Sequence, residues 1–193
     1  MTLIDIIAAS VWLMLPAYVA NPMAAVFGGG MPIDLGKNFK DGRRILGDGK
    51  TIRGLITGTA CGLVIGLIQI GLAPRLAADG VFTGFPIFQS ALGAYSISTI
   101  LVVGLMALGA LLGDSAESFV KRRLNLKRGA MFPVADQLDF VLGAWVLTFI
   151  FASVWFKTYF NFWIIVTVLL ITPLLHLMAN VFGYLIKVKK EPW

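Results

Sequence analysis

Five stretches of this chain, residues 6–22, 54–74, 85–113, 140–156 and 160–186, contain no Asp, Glu, Lys or Arg. Nothing else in the sequence constrains the fold as strongly, because about 20 apolar residues in a helix cross the roughly 30 Å hydrocarbon layer of a bilayer. With 58% hydrophobic and 13% charged residues, against about 25% charged in soluble domains, the chain reads as an all-α, polytopic membrane protein with five transmembrane helices. The first stretch has neither a basic leader nor a small-residue cleavage pattern before it, which predicts a retained span. The fourth, at 17 residues, is short unless its helix starts among the acidic residues that precede it. No strand-like alternation and no repeat of 20 to 50 residues competes with this reading, and the 193 residues are expected to form one membrane domain. Cys61, the single cysteine, excludes an internal disulfide and a multi-cysteine metal site.

Loops rich in Lys and Arg stay on the cytoplasmic side, and fourteen of the sixteen cations fall on one side if the N-terminus is outside. Lys37, Lys40, Arg43, Arg44, Lys50 and Arg53 lie in or just after a loop at about 22–52. Lys121, Arg122, Arg123, Lys127 and Arg128 lie in or beside a loop at about 122–133, and Lys187, Lys189 and Lys190 in the tail. Only Arg75 and Lys157 are left on the other side. The C-terminus and any site in these loops are therefore expected on the cytoplasmic face of the cell membrane. Topology and anionic headgroups account for Lys187, Lys189, Lys190 and Arg123. The same rule covers the formal charge of +6, so nucleic acid is not an expected partner.

It does not account for Asp114, Glu117, Asp136 and Asp139, which stand where the third and fourth spans meet the interface. Acidic groups at membrane depth are costly and mark function. At about 100° per residue, Asp114, Glu117, Ser118 and Lys121 share a stripe at the end of span three. Asp136 and Asp139, after Pro133, fall in the first turn of span four, where carboxylates favour the helix dipole. One Asp suffices for a cap, whereas two spaced by three residues also offer oxygens to a hard cation such as Mg²⁺.

The first loop adds glycines at 28–30, 36, 42, 47 and 49 around Asp34, Lys37, Arg43, Arg44, Asp48 and Lys50, and glycine lets backbone N–H groups approach phosphate. Gly49-Lys50-Thr51 matches the end of a P-loop, but Arg44 stands where that motif needs glycine, which excludes it. Thr51 and Arg53 begin the second span and could present a helix N-terminus to an anion. Thr172, His176 and Asn180 form a polar face on span five, explained by interhelical hydrogen bonds. The tryptophans Trp12, Trp145, Trp155 and Trp163 read as packing or interfacial anchors. Gly58, Gly62 and Gly66 predict close helix contact, within the chain or in a homodimer.

Ser118-x-x-Lys121-Arg122-x4-Lys127-Arg128-Gly129 with Asp136-Gln137-x-Asp139 resembles the signature of membrane CTP:phosphatidate cytidylyltransferases. The run from Asp41 to Gly54, Asn21-Pro22 and the terminal Pro192-Trp193 look like the short archaeal branch of that group, the CDP-archaeol synthases. Met131-Phe132-Pro133 stand where the bacterial signature carries His-Gly-Gly, which favours the archaeal branch. The resemblance implies transfer of a cytidylyl group from CTP to unsaturated archaetidic acid, digeranylgeranylglyceryl phosphate, with release of pyrophosphate. Under that reading Asp114, Asp136 and Asp139 hold Mg²⁺, while Lys121, Arg122 and Lys127 neutralise the triphosphate. Arg43, Arg44, Asp48, Lys50, Thr51, Arg53, Glu117, Ser118 and Arg128 complete the binding of nucleotide and lipid phosphate. The alternatives are a CDP-diacylglycerol synthase acting on phosphatidate, a CDP-alcohol phosphatidyltransferase, whose longer acidic motif is lacking, and a small transporter, which would place charge near the midplane.

Overall fold

A computed structural model of the chain describes residues 2–78, 97–126, 132, 134–185 and 187. Lys127, Arg128, Gly129, Met131, Pro133, Lys189, Lys190, Pro192 and Trp193 lie outside the described residues, as does the first part of the 85–113 stretch. The described elements are all helical: α1 (Leu3–Phe27), α2 (Ile52–Ala78), α3 (Ile97–Arg123), α4 (Ala135–Phe151), α5 (Ser153–Tyr159) and α6 (Phe162–Leu185).

Local chemistry sets the helix starts. Thr2 and Asp5 close a reciprocal capping box at the head of α1, with Thr2 N donating to Asp5 Oδ2 at 2.8 Å and Asp5 N to Thr2 Oγ1 at 3.3 Å. Thr51 caps α2 by accepting from Gly54 N at 3.0 Å. The helix of the fourth apolar stretch begins at Ala135, which puts Asp136 in its first turn as expected and Asp139 at the start of its second. It also ends early: Ala152 leaves the helical region at φ −142°, ψ 47°, and residues 153–159 continue as the separate α5. The stretch at 140–156 is thus divided between two helices.

Among the described residues, four helices are long and apolar enough to cross a bilayer: Leu3–Phe27, Ile52–Leu76, Ser98–Arg123 and Phe162–Leu185. The chain is an all-α, polytopic membrane protein. Helices α1, α2, α3 and α4 pack most closely, and α6 lies against α1 and α4. The buried core runs through Leu13 and Met14 of α1, Ile70 of α2, Val103 and Met106 of α3, Val141 of α4, and Ile164 and Val168 of α6. Outside it, Ile56, Val64, Ile68, Leu170, Leu174 and Met178 are exposed apolar residues, the inverse of a soluble surface and suited to lipid.

The glycine stripe of α2 is consumed inside the chain. A Cβ on Gly58 would stand 2.7 Å from Ala20 O, and one on Gly62 would stand 2.7 Å from Pro16 O, while Gly66 faces Val103. The polar face of α6 is partnered as well: Tyr18 of α1 and Thr172 share a hydrogen bond of 2.8 Å, and His176 stacks on Phe140. Trp145 packs with Phe156 and Phe160.

Candidate functional site

The acidic residues are brought together by a second glycine contact. Gly109 and Gly113 of α3 cross Gly143 of α4 so closely that a Cβ on Gly143 would fall on the Gly113 backbone, and one on Gly109 would stand 2.7 Å from Gly143 O. Asp114 follows Gly113, and Asp139 lies one turn before Gly143, so the crossing sets one carboxylate against the other. Among the described residues, oxygens of Asp114, Glu117 and Asp139 all lie within 4.8 Å of one another. Two oxygens each about 2.1 Å from one Mg²⁺ are at most about 4.2 Å apart, so small side-chain rotations would bring the three to a common ion. All-carboxylate oxygen donors fit a hard divalent cation.

This grouping differs from the expected trio of Asp114, Asp136 and Asp139. Glu117, whose side chain is only 8% exposed, takes the inner position. Asp136 instead pairs with Lys121 at 2.6 Å, and the same ammonium stands 3.0 Å from Glu117. Asp136 also caps its own segment, accepting from Phe132 N at 3.0 Å. Ser118 and Arg122 lie half-buried on the same end of α3.

The loop between α1 and α2 is folded around Asp34. This carboxylate accepts from the amides of Gly36 at 3.1 Å and of Leu46 and Gly47 at 2.9 Å each, and from Arg44 through Nε at 3.2 Å and Nη2 at 2.7 Å. Gly36 and Gly47 both take positive φ, 77° and 101°, a conformation that glycine adopts without a Cβ clash. The Arg44 guanidinium holds the Asp34 carboxyl well below the usual carboxylate range, against the opposing effect of burial. Arg44 also bonds Asp48 at 2.8 Å. Of the loop residues expected to meet substrate, Arg44 and Asp48 pair with each other, Asp48 at the exposed rim of the loop, and Thr51 caps α2 while accepting from Gly29 N at 3.2 Å. Arg53 is exposed on the first turn of α2.

Lys50 reaches the acidic site, forming an ion pair with Asp114 across the interface between loop and α3. Beside this pair, Asn21 and Ala24 of α1, Gly54 and Leu55 of α2, and Leu111 and Ser115 of α3 line an open cleft with Gly49 and Thr51. Two contributors carried too little signal in the sequence to be singled out. Asp34 is one acid among many loop residues, and Arg123, read as topological charge, bonds the loop backbone.

A polytopic helical membrane enzyme, with carboxylates and cations gathered at one end of its spans, is the class that this fold and site define. Residues 3–193 match the family model described as CarS-like, CDP-archaeol synthase. The chain is 56% identical over 180 residues to the CDP-archaeol synthase of Methanosarcina barkeri and 53% identical over 183 residues to that of Methanosarcina mazei, covering 93% of this chain and the whole of each relative. It is also similar to a solved structure of an intramembrane enzyme for archaeal membrane lipids biosynthesis, with a TM-score of 0.65 and 38% identity over 89% of this chain and 92% of the other. The chain belongs to the CDP-archaeol synthase family.

Proposed function

We propose that this protein catalyses Mg²⁺-dependent transfer of the cytidylyl group of CTP to unsaturated archaetidic acid, giving CDP-archaeol and pyrophosphate. Membership of the family over residues 3–193 carries this reading, and the site chemistry supports it. A phosphate monoester whose second pKa is about 6 is largely dianionic at neutral pH, so its oxygen needs no strong base to attack the α-phosphorus. That attack forms the new P–O bond as the bond from the α-phosphorus to the bridging oxygen breaks and pyrophosphate leaves.

Positioning and neutralisation of charge then dominate the barrier. Asp114, Glu117 and Asp139 would hold Mg²⁺, which supplies charge neutralisation at the triphosphate when bound. Asp136 orients Lys121 toward the same space, and Lys50, Lys121, Arg122 and Lys127 neutralise the triphosphate and the departing pyrophosphate. Arg43, Arg53, Ser118 and Arg128 are available to the nucleotide or the lipid phosphate. The protein forms one membrane domain with five spans, α4 joining the four longer helices as the fourth in chain order, and with the N-terminus outside. The segregation of fourteen of sixteen cations supports this topology and puts the loop of residues 28–51 and the active site on the cytoplasmic face.

Purified protein incubated with labelled CTP, Mg²⁺ and digeranylgeranylglyceryl phosphate is expected to yield CDP-lipid and pyrophosphate in equal amounts. Phosphatidate in place of the diether lipid tests the alternative substrate, and EDTA is expected to stop turnover. Absence of product with every lipid phosphate would overturn the reading.

A further inference from the structure

The end of α3 is divided between two neighbours. At about 100° per residue, Gly113, Glu117 and Lys121 project toward α4, whereas Phe119 and Arg123 project to the opposite side, where the loop of residues 28–51 lies. Arg123, the last residue of α3, is held there by contacts of four kinds. Its guanidinium carbon is 4.8 Å from the ring centroids of both Phe39 and Phe119, and the two rings meet edge-on at 5.4 Å. Nη2 donates to the carbonyls of Arg43 and Arg44. Nη1 stands 3.2 Å from Asp41 Oδ1. In return, Arg43 Nη1 donates to the Arg123 carbonyl at 2.6 Å.

This is far more than a topological cation needs, since interfacial Lys or Arg works without a fixed partner. The partners also share a location. Asn38 and Arg44 form an antiparallel bridge, so Phe39, Asp41 and Arg43 belong to one small turn. Arg44 then connects that turn to Asp34, and six residues on, Lys50 meets Asp114.

We propose that Arg123 is a positioning residue: by clasping the 38–44 turn against α3, it holds the loop in the place from which Lys50 meets Asp114 at the edge of the acidic cluster. The guanidinium is suited to this because one group lies against two rings and donates to two carbonyls, which an ammonium cannot reproduce. The kinetic part of the inference rests on the reaction proposed above; the structural part does not.

Both parts are tested on the full-length protein in detergent with Arg123→Ala, Arg123→Lys and Phe39→Leu. Hydrogen exchange without substrate is expected to accelerate at least tenfold at the Phe39, Ile45, Leu46 and Gly47 amides in Arg123→Ala, with exchange in α1 and α2 unchanged. Arg123→Lys is expected to rescue it only in part, and Phe39→Leu to show the same pattern more weakly. In turnover assays, the KM for CTP is expected to rise about tenfold in Arg123→Ala while kcat falls less than threefold, a split that general destabilisation would not produce. Wild-type exchange and wild-type KM in Arg123→Ala would overturn the proposal. If that variant does not fold, unchanged exchange in Phe39→Leu would do so. A wild-type protein that makes no CDP-lipid would refute the reaction and leave the exchange result as the test of the clasp.

Discussion

At the scale of single residues, charge pairing decides which side chains are free to meet a substrate. Asp139 and Glu117 belong to the oxygen cluster, so Asp139→Asn or Glu117→Gln is expected to lower turnover about 100-fold or more and raise the Mg²⁺ concentration for half-maximal rate. Asp136 faces Lys121; Asp136→Asn is expected to reduce kcat with little change in that Mg²⁺ requirement, which metal titrations of the three variants would distinguish. The sequence showed all four acids on two helix ends, but helical period alone does not say which carboxylates face a neighbouring helix. That is why the grouping of Glu117 with Asp114 and Asp139, and the pairing of Asp136 with Lys121, were not legible in the sequence. Asp34 was harder still, because its five donors come from residues 36 to 47 through a loop fold with no periodicity. Its depressed pKa means that it stabilises the fold above the unfolded value of about 3.9 and loses that contribution as pH falls toward the folded value. Asp34→Asn is accordingly expected to melt a few degrees lower than wild type at pH 7. That difference should shrink below about pH 4, as read by thermal melts in detergent across pH 3 to 7.

At the scale of elements, backbone contact between α3 and α4 is what turns scattered acids into a site. Gly143→Ala would drive a methyl group into the Gly113 backbone, and overpacking of this kind costs about 1–3 kcal/mol. The expected result is a lower melting temperature together with weaker Mg²⁺ activation, because Asp114 and Asp139 separate when the helices do. The same logic explains the division of the 140–156 stretch. Hydropathy marks apolar length and carries no signal for the turn at Ala152, whose backbone N–H still closes on Thr148 O at 2.7 Å. The Asp-rich start of α4 was legible because caps and dipoles act locally. The Gly109, Gly113 and Gly143 crossing was not, because it joins residues some 30 positions apart with no repeat to reveal it.

At the scale of the whole molecule, the spans and their lipid-facing surface follow from composition, while the alliance of loop and helix ends follows from tertiary contacts. Orientation is open to a direct test in a Cys61→Ala background. A cysteine at Lys40 is expected to react with an impermeant maleimide only after inverted vesicles or lysis expose the cytoplasmic side, and one at Thr158 only from outside. Equal labelling of both positions from one side would contradict the proposed topology. Asp114 occupies the seam of this architecture, with Lys50 on its loop side and Glu117 and Asp139 on the other. A carboxylate shared in this way would make cation and nucleotide thermodynamic partners. Asp114 would exchange the Lys50 ammonium for a divalent ion held with Glu117 and Asp139, leaving Lys50 to phosphate, and phosphate that drew Lys50 away would leave Asp114 to the ion. By linkage the two effects are one coupling free energy: whatever factor Mg²⁺ gains for CTP affinity, CTP returns to Mg²⁺, and Lys50→Ala should shrink both by the same amount.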